Sequence, residues 1–160
     1  MDRIKLLKLL EKNAMETPEN LAIKLGTDAE SVKKEIKALQ DEGIIAGYRA
    51  IIDWDKTEND WAAVYIELKV APGVKGYDDF ANRLYQIPQV NNVYLMSGGY
   101  DFLLVIEGQS LKDVALFVAE HLSPMDGVTS TTTHFVLKKY KESGKLLGVE
   151  KTDGRQVITF

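Results

Sequence analysis

The 160-residue chain carries 20 basic and 24 acidic side chains, a net charge of −4, 45% hydrophobic residues and no cysteine. No run approaches the ~20 apolar residues that span a bilayer, and the missing thiols exclude disulfides, thiol catalysis and zinc–thiolate sites. With only His121 and His134 available, a histidine-rich metal site is not expected, and neither metal nor cofactor is implied.

Residues 1–50 hold nine basic and nine acidic side chains, so the remaining 11 basic and 15 acidic residues carry the whole net charge. Neutrality predicts no nucleic-acid binding by itself; a motif must carry that claim. The opening MDRIKLLKLLEKN is amphipathic and contains acidic residues, without a signal-peptide core or small-residue cleavage site. The expectation is a soluble, cytoplasmic protein with no membrane partner.

In chain order, Ile4, Leu7 and Leu10 fall at helical spacing, widened by Leu6 and Leu9. Thr17 followed by Pro18 reads as a helix start, a hydroxyl cap before a proline whose missing N–H costs nothing there. Gly26 ends this short helix after Leu21, Ala22 and Leu25. Asp28 caps a third helix, Ala29 to Glu42, with Val32, Ile36 and Leu39 inward and Gly43 closing it. GYRAIID reads as a short extended piece, and the polar DWDKTEND as a linker between Trp54 and Trp61.

Beyond the linker the period changes to two. Val64, Ile66, Leu68 and Val70 alternate with Tyr65, Glu67 and Lys69, predicting a strand. Tyr77, Phe80, Ala81 and Leu84 form a helical stripe ending near Pro88. NNVYLMS and DFLLVIEG read as strands around a glycine turn, and Leu111, Val114, Ala115, Val118 and Leu122 as a second helix. TSTTTHFVLKKY reads as the last strand. Strand, helix, strand, strand, helix, strand is the ferredoxin-like βαββαβ order. The closing QVITF has strand character.

Two constellations carry possible chemistry, each beside a plainer reading. The three N-terminal helices make a helix-turn-helix candidate, because a helix enters the major groove only where its outer face is free of the core. That face centres on Glu30, Lys34, Lys37 and Asp41, flanked by Ser31 and Lys33. Glu30 with Lys34, and Lys37 with Asp41, are also spaced as on any solvated helix face. In Ser97-Gly98-Gly99-Tyr100-Asp101, glycine N–H groups offer donors to a carboxylate and Asp101 an acceptor for an amine. A tight hairpin turn explains the same letters. Asp78 and Asp79 suit the start of a helix better than paired-acid catalysis. Neither histidine has a visible partner acid, and Trp54 and Trp61 read as packing residues. No P-loop, dinucleotide fingerprint or nucleophile elbow is present.

Together these pieces resemble the Lrp/AsnC, or feast/famine, family of transcriptional regulators across nearly the whole chain. The N-terminal likeness lies in LAIKLGTDAESVKKEIKALQDEGIIAGYRAIID, including Gly43, Ile44, Ile45, Gly47, Tyr48 and Asp53; the C-terminal likeness lies in SGGYDFLLVIEG and GVTSTTTHFVLKKYK. The resemblance implies an α+β chain: a winged helix-turn-helix over 1–50, a linker over 51–61, a ferredoxin-like effector-binding and oligomerisation domain over 62–141, and a tail over 142–160. It implies double-stranded DNA as partner, contacted by Ser31, Lys33, Lys34 and Lys37. It also implies a small effector, an amino acid, near Gly98, Gly99, Tyr100, Asp101, Thr131 and Thr133, with Asp101 either a ligand or a brace. Dimerisation through the sheets and further assembly toward octamers follow from the same likeness, with no enzymatic activity. Lysines stand where the family usually has arginines, which favours phosphate contact over base readout. The alternatives are an oligomeric amino-acid sensor without DNA binding and a siroheme-decarboxylase-like enzyme, the latter needing histidine and arginine chemistry that two histidines barely provide.

Overall fold

The computed structural model describes residues 1–58, 61–73 and 76–148; Asn59, Asp60 and the closing QVITF lie outside the described residues. The chain divides into two compact units, residues 1–50 and 51–160. Among the described residues no helix is long and apolar enough to cross a membrane.

The first unit is three helices: α1 (Arg3–Lys12), α2 (Pro18–Leu25) and α3 (Ala29–Asp41). Each begins on a side-chain cap. Asp2 accepts from Lys5 N–H, Thr17 from Asn20 N–H and Asp28 from Ser31 N–H, satisfying donors that the first turn leaves free. Leu6, Leu10, Leu21, Ala22, Val32 and Leu39 are buried together, and Leu7, Ile36 and Ile45 pack against them. The expected stripe is corrected at one end. Ile4 is 61% exposed, and the buried face of α1 centres on Leu6 and Leu10. The expected extended piece GYRAIID forms no strand. No described residue of this unit lies in a strand, so no ladder partner is on hand.

The second unit is built on a four-stranded antiparallel sheet in the order β2-β3-β1-β4. Its strands are β1 (Ala62–Val70), β2 (Asn92–Leu95), β3 (Phe102–Gln109) and β4 (Val128–Phe135). Between β1 and β2 runs α4 (Tyr77–Tyr85), and between β3 and β4 runs α5 (Leu111–Phe117), which widens into a π-helical turn at Val118–Leu122. Alternation puts Val64, Ile66 and Leu68 of β1 and Phe102, Leu104 and Ile106 of β3 on one face. There they meet Phe80 and Leu84 of α4 and Val114, Phe117 and Leu122 of α5 and its π turn. Both helices therefore cover one side of the sheet. Tyr65, Glu67, Tyr94, Leu103 and Val105 point to the other.

Three details differ from the sequence reading. β4 stops at Phe135, short of the expected VLKKY. The connection from β2 to β3 is a six-residue loop, 96–101, closed by Met96 N–H donating to Asp101 O at 2.8 Å, and not a tight two-residue turn. A small hairpin, β5 (Lys141–Glu142) and β6 (Lys145–Leu146), crosses the boundary expected at 141/142. The linker tryptophans are packing residues indeed: Trp54, in a 3-10 turn, stacks on Trp61 at 4.0 Å between centroids and 10° between planes.

Gly108 explains why that stack lies where it does. It has φ +89°, and a Cβ placed there would lie 2.8 Å from the Trp61 ring. Gly108→Ala is expected to cost about 1–3 kcal/mol through backbone strain and displaced rings, read by calorimetry as a lower Tm. An unchanged Tm would show that the indole pair gives way freely.

Candidate nucleic-acid interface and effector loop

The outer face of α3 is mostly self-neutralised. Lys33 Nζ lies 2.9 Å from Glu30 Oε1, and Lys37 Nζ 3.1 Å from Asp41 Oδ2. The second pair is one that the spacing suggested; the first is not, since Glu30 takes Lys33 in place of Lys34. Lys34 is exposed and has no ion-pair partner among the described residues. The Ser31 hydroxyl donates to Asp28 Oδ2 at 2.6 Å while its N–H reaches Oδ1 at 2.8 Å. These bonds hold the Asp28 carboxyl below its ordinary range, the hydroxyl contributing most. Ser31 thus keeps only acceptor capacity for an incoming group.

A clamp that the sequence does not reveal sets the far end of this helix. Arg3, at the start of α1, donates to both Glu42 oxygens at 2.8 and 2.9 Å, and its Nε lies 2.6 Å from Glu35 Oε1. The Arg3 guanidinium holds the Glu42 carboxyl below its usual range and is itself pushed up by it. Lys24 does the same to Glu16 at 2.7 Å. A fork-on-carboxylate contact fixes geometry as well as charge, so α1 and the end of α3 are registered against one another.

The second candidate region sits at the end of the sheet where β1 finishes. Leu68 pairs with Phe102 on one side and Thr131 on the other. The 96–101 loop and Thr131 therefore flank the same end of β1, two strand spacings or about 10 Å apart. Thr133 lies opposite Ile66, one row further in, and Thr131 exchanges a hydroxyl contact with Ser123 at 3.2 Å. Gly98 and Gly99 are exposed, and neither N–H has a partner among the described residues. Only Gly98 needs glycine's freedom, at φ +137°. Tyr100 is half-buried.

Asp101 is committed on the inside. Its N–H donates to Leu68 O at 2.9 Å, its Oδ2 accepts from Val70 N–H at 2.9 Å, and its Oδ1 from the Tyr77 hydroxyl at 3.3 Å. Tyr77 in turn stands edge-on to Phe102 at 5.9 Å. Val70 and Tyr77 carried no signal for this role. The histidines fall elsewhere. His134 Nε2 lies 3.0 Å from Glu67 Oε1 on the sheet face away from the helices, giving it the partner acid that was not visible in sequence. His121 packs against Phe117 at 5.6 Å.

Comparison with known proteins places this geometry. Residues 63–146 match the Lrp/AsnC ligand binding domain. The uncharacterised HTH-type transcriptional regulator YugG of Bacillus subtilis is 43% identical over 157 residues, covering 96% of this chain and 94% of that protein. The HTH-type transcriptional regulator LrpA of Pyrococcus horikoshii is 29% identical over 136 residues, 85% of this chain and 94% of its own. Among solved structures, a transcriptional regulator of Neisseria meningitidis in complex with L-methionine superposes with a TM-score of 0.69. It is 25% identical, covering 88% of this chain and 90% of that one.

Two outcomes follow from these contacts. Asp101→Ala removes the acceptor for Val70 N–H and is expected to lower unfolding stability by about 1–3 kcal/mol in the absence of any ligand; a urea midpoint equal to the parent's would show that water replaces the carboxylate. The lowered carboxyls of Glu16, Asp28 and Glu42 bind protons more readily when unfolded, so their stabilisation is present above the ordinary carboxylate range and is lost as pH falls through it. Amide exchange in α2 and α3, followed by NMR, should accelerate in that window beyond its intrinsic pH dependence.

Proposed function

Because the chain belongs to the Lrp/AsnC family of transcriptional regulators, we propose that it is a sequence-specific DNA-binding regulator that responds to an amino acid. The observation that carries the reading is the union of two parts in one chain. One is a three-helix unit presenting the solvent-facing side of α3; the other matches the family's ligand binding domain. Residues 1–50 act as a helix-turn-helix unit, with α2 and α3 as its two helices and without the strands of the expected wing among the described residues, and the βαββαβ unit as the ferredoxin-like effector domain. The antiparallel order β2-β3-β1-β4 with both helices on one face supports that assignment.

DNA binding falls to Ser31, Lys33, Lys34 and Lys37. Lys34 meets phosphate directly, whereas Lys33 and Lys37 must exchange Glu30 and Asp41 for it. Exposed ion pairs of this kind are weak and open readily. Effector binding falls to the loop: the free Gly98 and Gly99 N–H groups suit a carboxylate, with Tyr100, Thr131 and Thr133 nearby. Asp101 holds the loop through Oδ2, while Oδ1, engaged among the described residues by the Tyr77 hydroxyl alone, keeps acceptor capacity for an ammonium. The open sheet face with Tyr65, Tyr94 and Leu103 supports pairing with a second copy, and dimers assemble further, toward octamers, in the cytoplasm. An effector at a contact between dimers then biases the assembly and with it the spacing of the DNA-binding units.

The self-neutralised α3 favours one second reading, an amino-acid sensor whose helix-turn-helix is idle. Fluorescence anisotropy on the DNA just upstream of the protein's own gene, across a salt series with and without mixed amino acids, separates the two. Salt-sensitive, specific binding that shifts with the amino acids supports the regulator; no binding at low salt, even to long fragments, supports the sensor. Lys34→Ala with Lys37→Ala should weaken binding and flatten its salt slope by about 0.9 per lost phosphate contact, leaving assembly intact. Asp101→Ala should abolish the rise in Tm produced by the effective amino acid; a parent-like response would move the effector site elsewhere.

A further inference from the structure

Of the nine Lys and Arg in residues 1–50, the structure neutralises most of those outside α1. Lys24, Lys33 and Lys37 have acidic partners and Arg49 has a partner of its own, while within α1 itself Arg3 is clamped onto Glu35 and Glu42. The cations left without an ion-pair partner among the described residues are Lys34 and three on a single helix: Lys5, Lys8 and Lys12. Their i, i+3, i+7 spacing places them in one row, and all three are exposed. The row runs opposite the buried Leu6 and Leu10, while the acidic Glu11 turns aside to line a recess with Leu7 and Ile44. In a unit of zero formal charge, the uncompensated positive field therefore lies on the outside of α1 more than on α3.

We propose that the Lys5–Lys8–Lys12 row is a second, sequence-independent contact for the DNA phosphate backbone. The occupant is argued from charge and spacing. Seven residues of helix extend about 10 Å, matching roughly three successive phosphates of one strand at about 3.4 Å each along the axis. Lysine is a point charge without arginine's fork, so it suits phosphate better than bidentate base readout. The proposal rests on the DNA-binding reading: α3 supplies specificity with few free charges, and α1 supplies affinity.

The test uses the full chain with Lys5→Gln, Lys8→Gln and Lys12→Gln combined, its fold checked by a melt matching the parent's. Binding to the upstream fragment and to an unrelated duplex of equal length is measured across salt. The slope should fall by up to about 2.7 per bound unit, so that between 50 and 200 mM salt the parent loses up to about 40-fold more affinity than the variant. Both fragments should weaken by the same factor, leaving their ratio unchanged. A reduced slope only on long fragments would assign the row to a separate stretch of duplex, and one seen on short fragments too would assign it to the same stretch; either supports the proposal. An unchanged slope, with Lys34→Ala/Lys37→Ala still effective, overturns it and leaves the regulator reading standing. A changed fragment ratio overturns it as well, as does a smaller assembly in sedimentation with the slope retained, which would make an acidic face of another copy the occupant. A parent that binds no duplex at low salt removes both readings together.

Discussion

The second unit is tied together where β1 runs out of partners. β3 begins at Phe102, opposite Leu68, so the Val70 N–H projects on that side into a region with no strand to receive it. An unsatisfied amide there would undo the end of the central strand. The Asp101 side chain supplies the missing acceptor while its own N–H closes on Leu68 O, and one residue thereby replaces two ladder bonds. The path of the 96–101 loop, the position of Tyr77 at the head of α4 and the exposure of the Gly98 and Gly99 amides all depend on that substitution. A loop anchored at one end by a carboxylate and bent at Gly98 offers its amides to solvent without collapsing onto the sheet.

The first unit solves a different problem with the same residue types. Two of its three caps, Asp2 and Asp28, and the Arg3 clamp spend acidic groups on internal order, and two further acids, Glu30 and Asp41, lie along the outer face of α3. On the proposed reading, a single unit therefore contacts DNA weakly. On the same reading, several units acting on one stretch of DNA compensate through effective concentration, and a ligand that changes assembly gains leverage over affinity.

Local chemistry was legible in the sequence wherever a single stretch decided it. Thr17, Asp28 and Gly26 delimit helices by capping rules, and the alternation Val64, Ile66, Leu68 fixes both the strand and its buried face. What escaped depends on pairs far apart in sequence. Arg3 and Glu42 are 39 residues apart, and Val70 and Asp101 31. Glu67 and His134 could be matched only once the antiparallel register was known. Ile4 fits helical spacing as well as Leu6 does, and only packing against α2 and α3 chooses between them. The β5–β6 hairpin was within reach, since Ser143-Gly144 is a two-residue turn signal between LKKYKE and KLL; Ser143 adopts the positive φ of 44° that it requires. Of the residues expected near the effector, Thr131 shares the loop's end of the sheet and Thr133 lies one row further in.

The stacked indoles have a use beyond packing. The chain's two tryptophans, Trp54 and Trp61, both belong to the second unit, and the first holds a single tyrosine, Tyr48. Emission excited at the red edge of the spectrum, and any exciton signal from two rings 4.0 Å apart, therefore originate in the effector-side unit alone. The protein carries an intrinsic optical label that watches one unit and is silent about the other, with no dye attached and no residue changed.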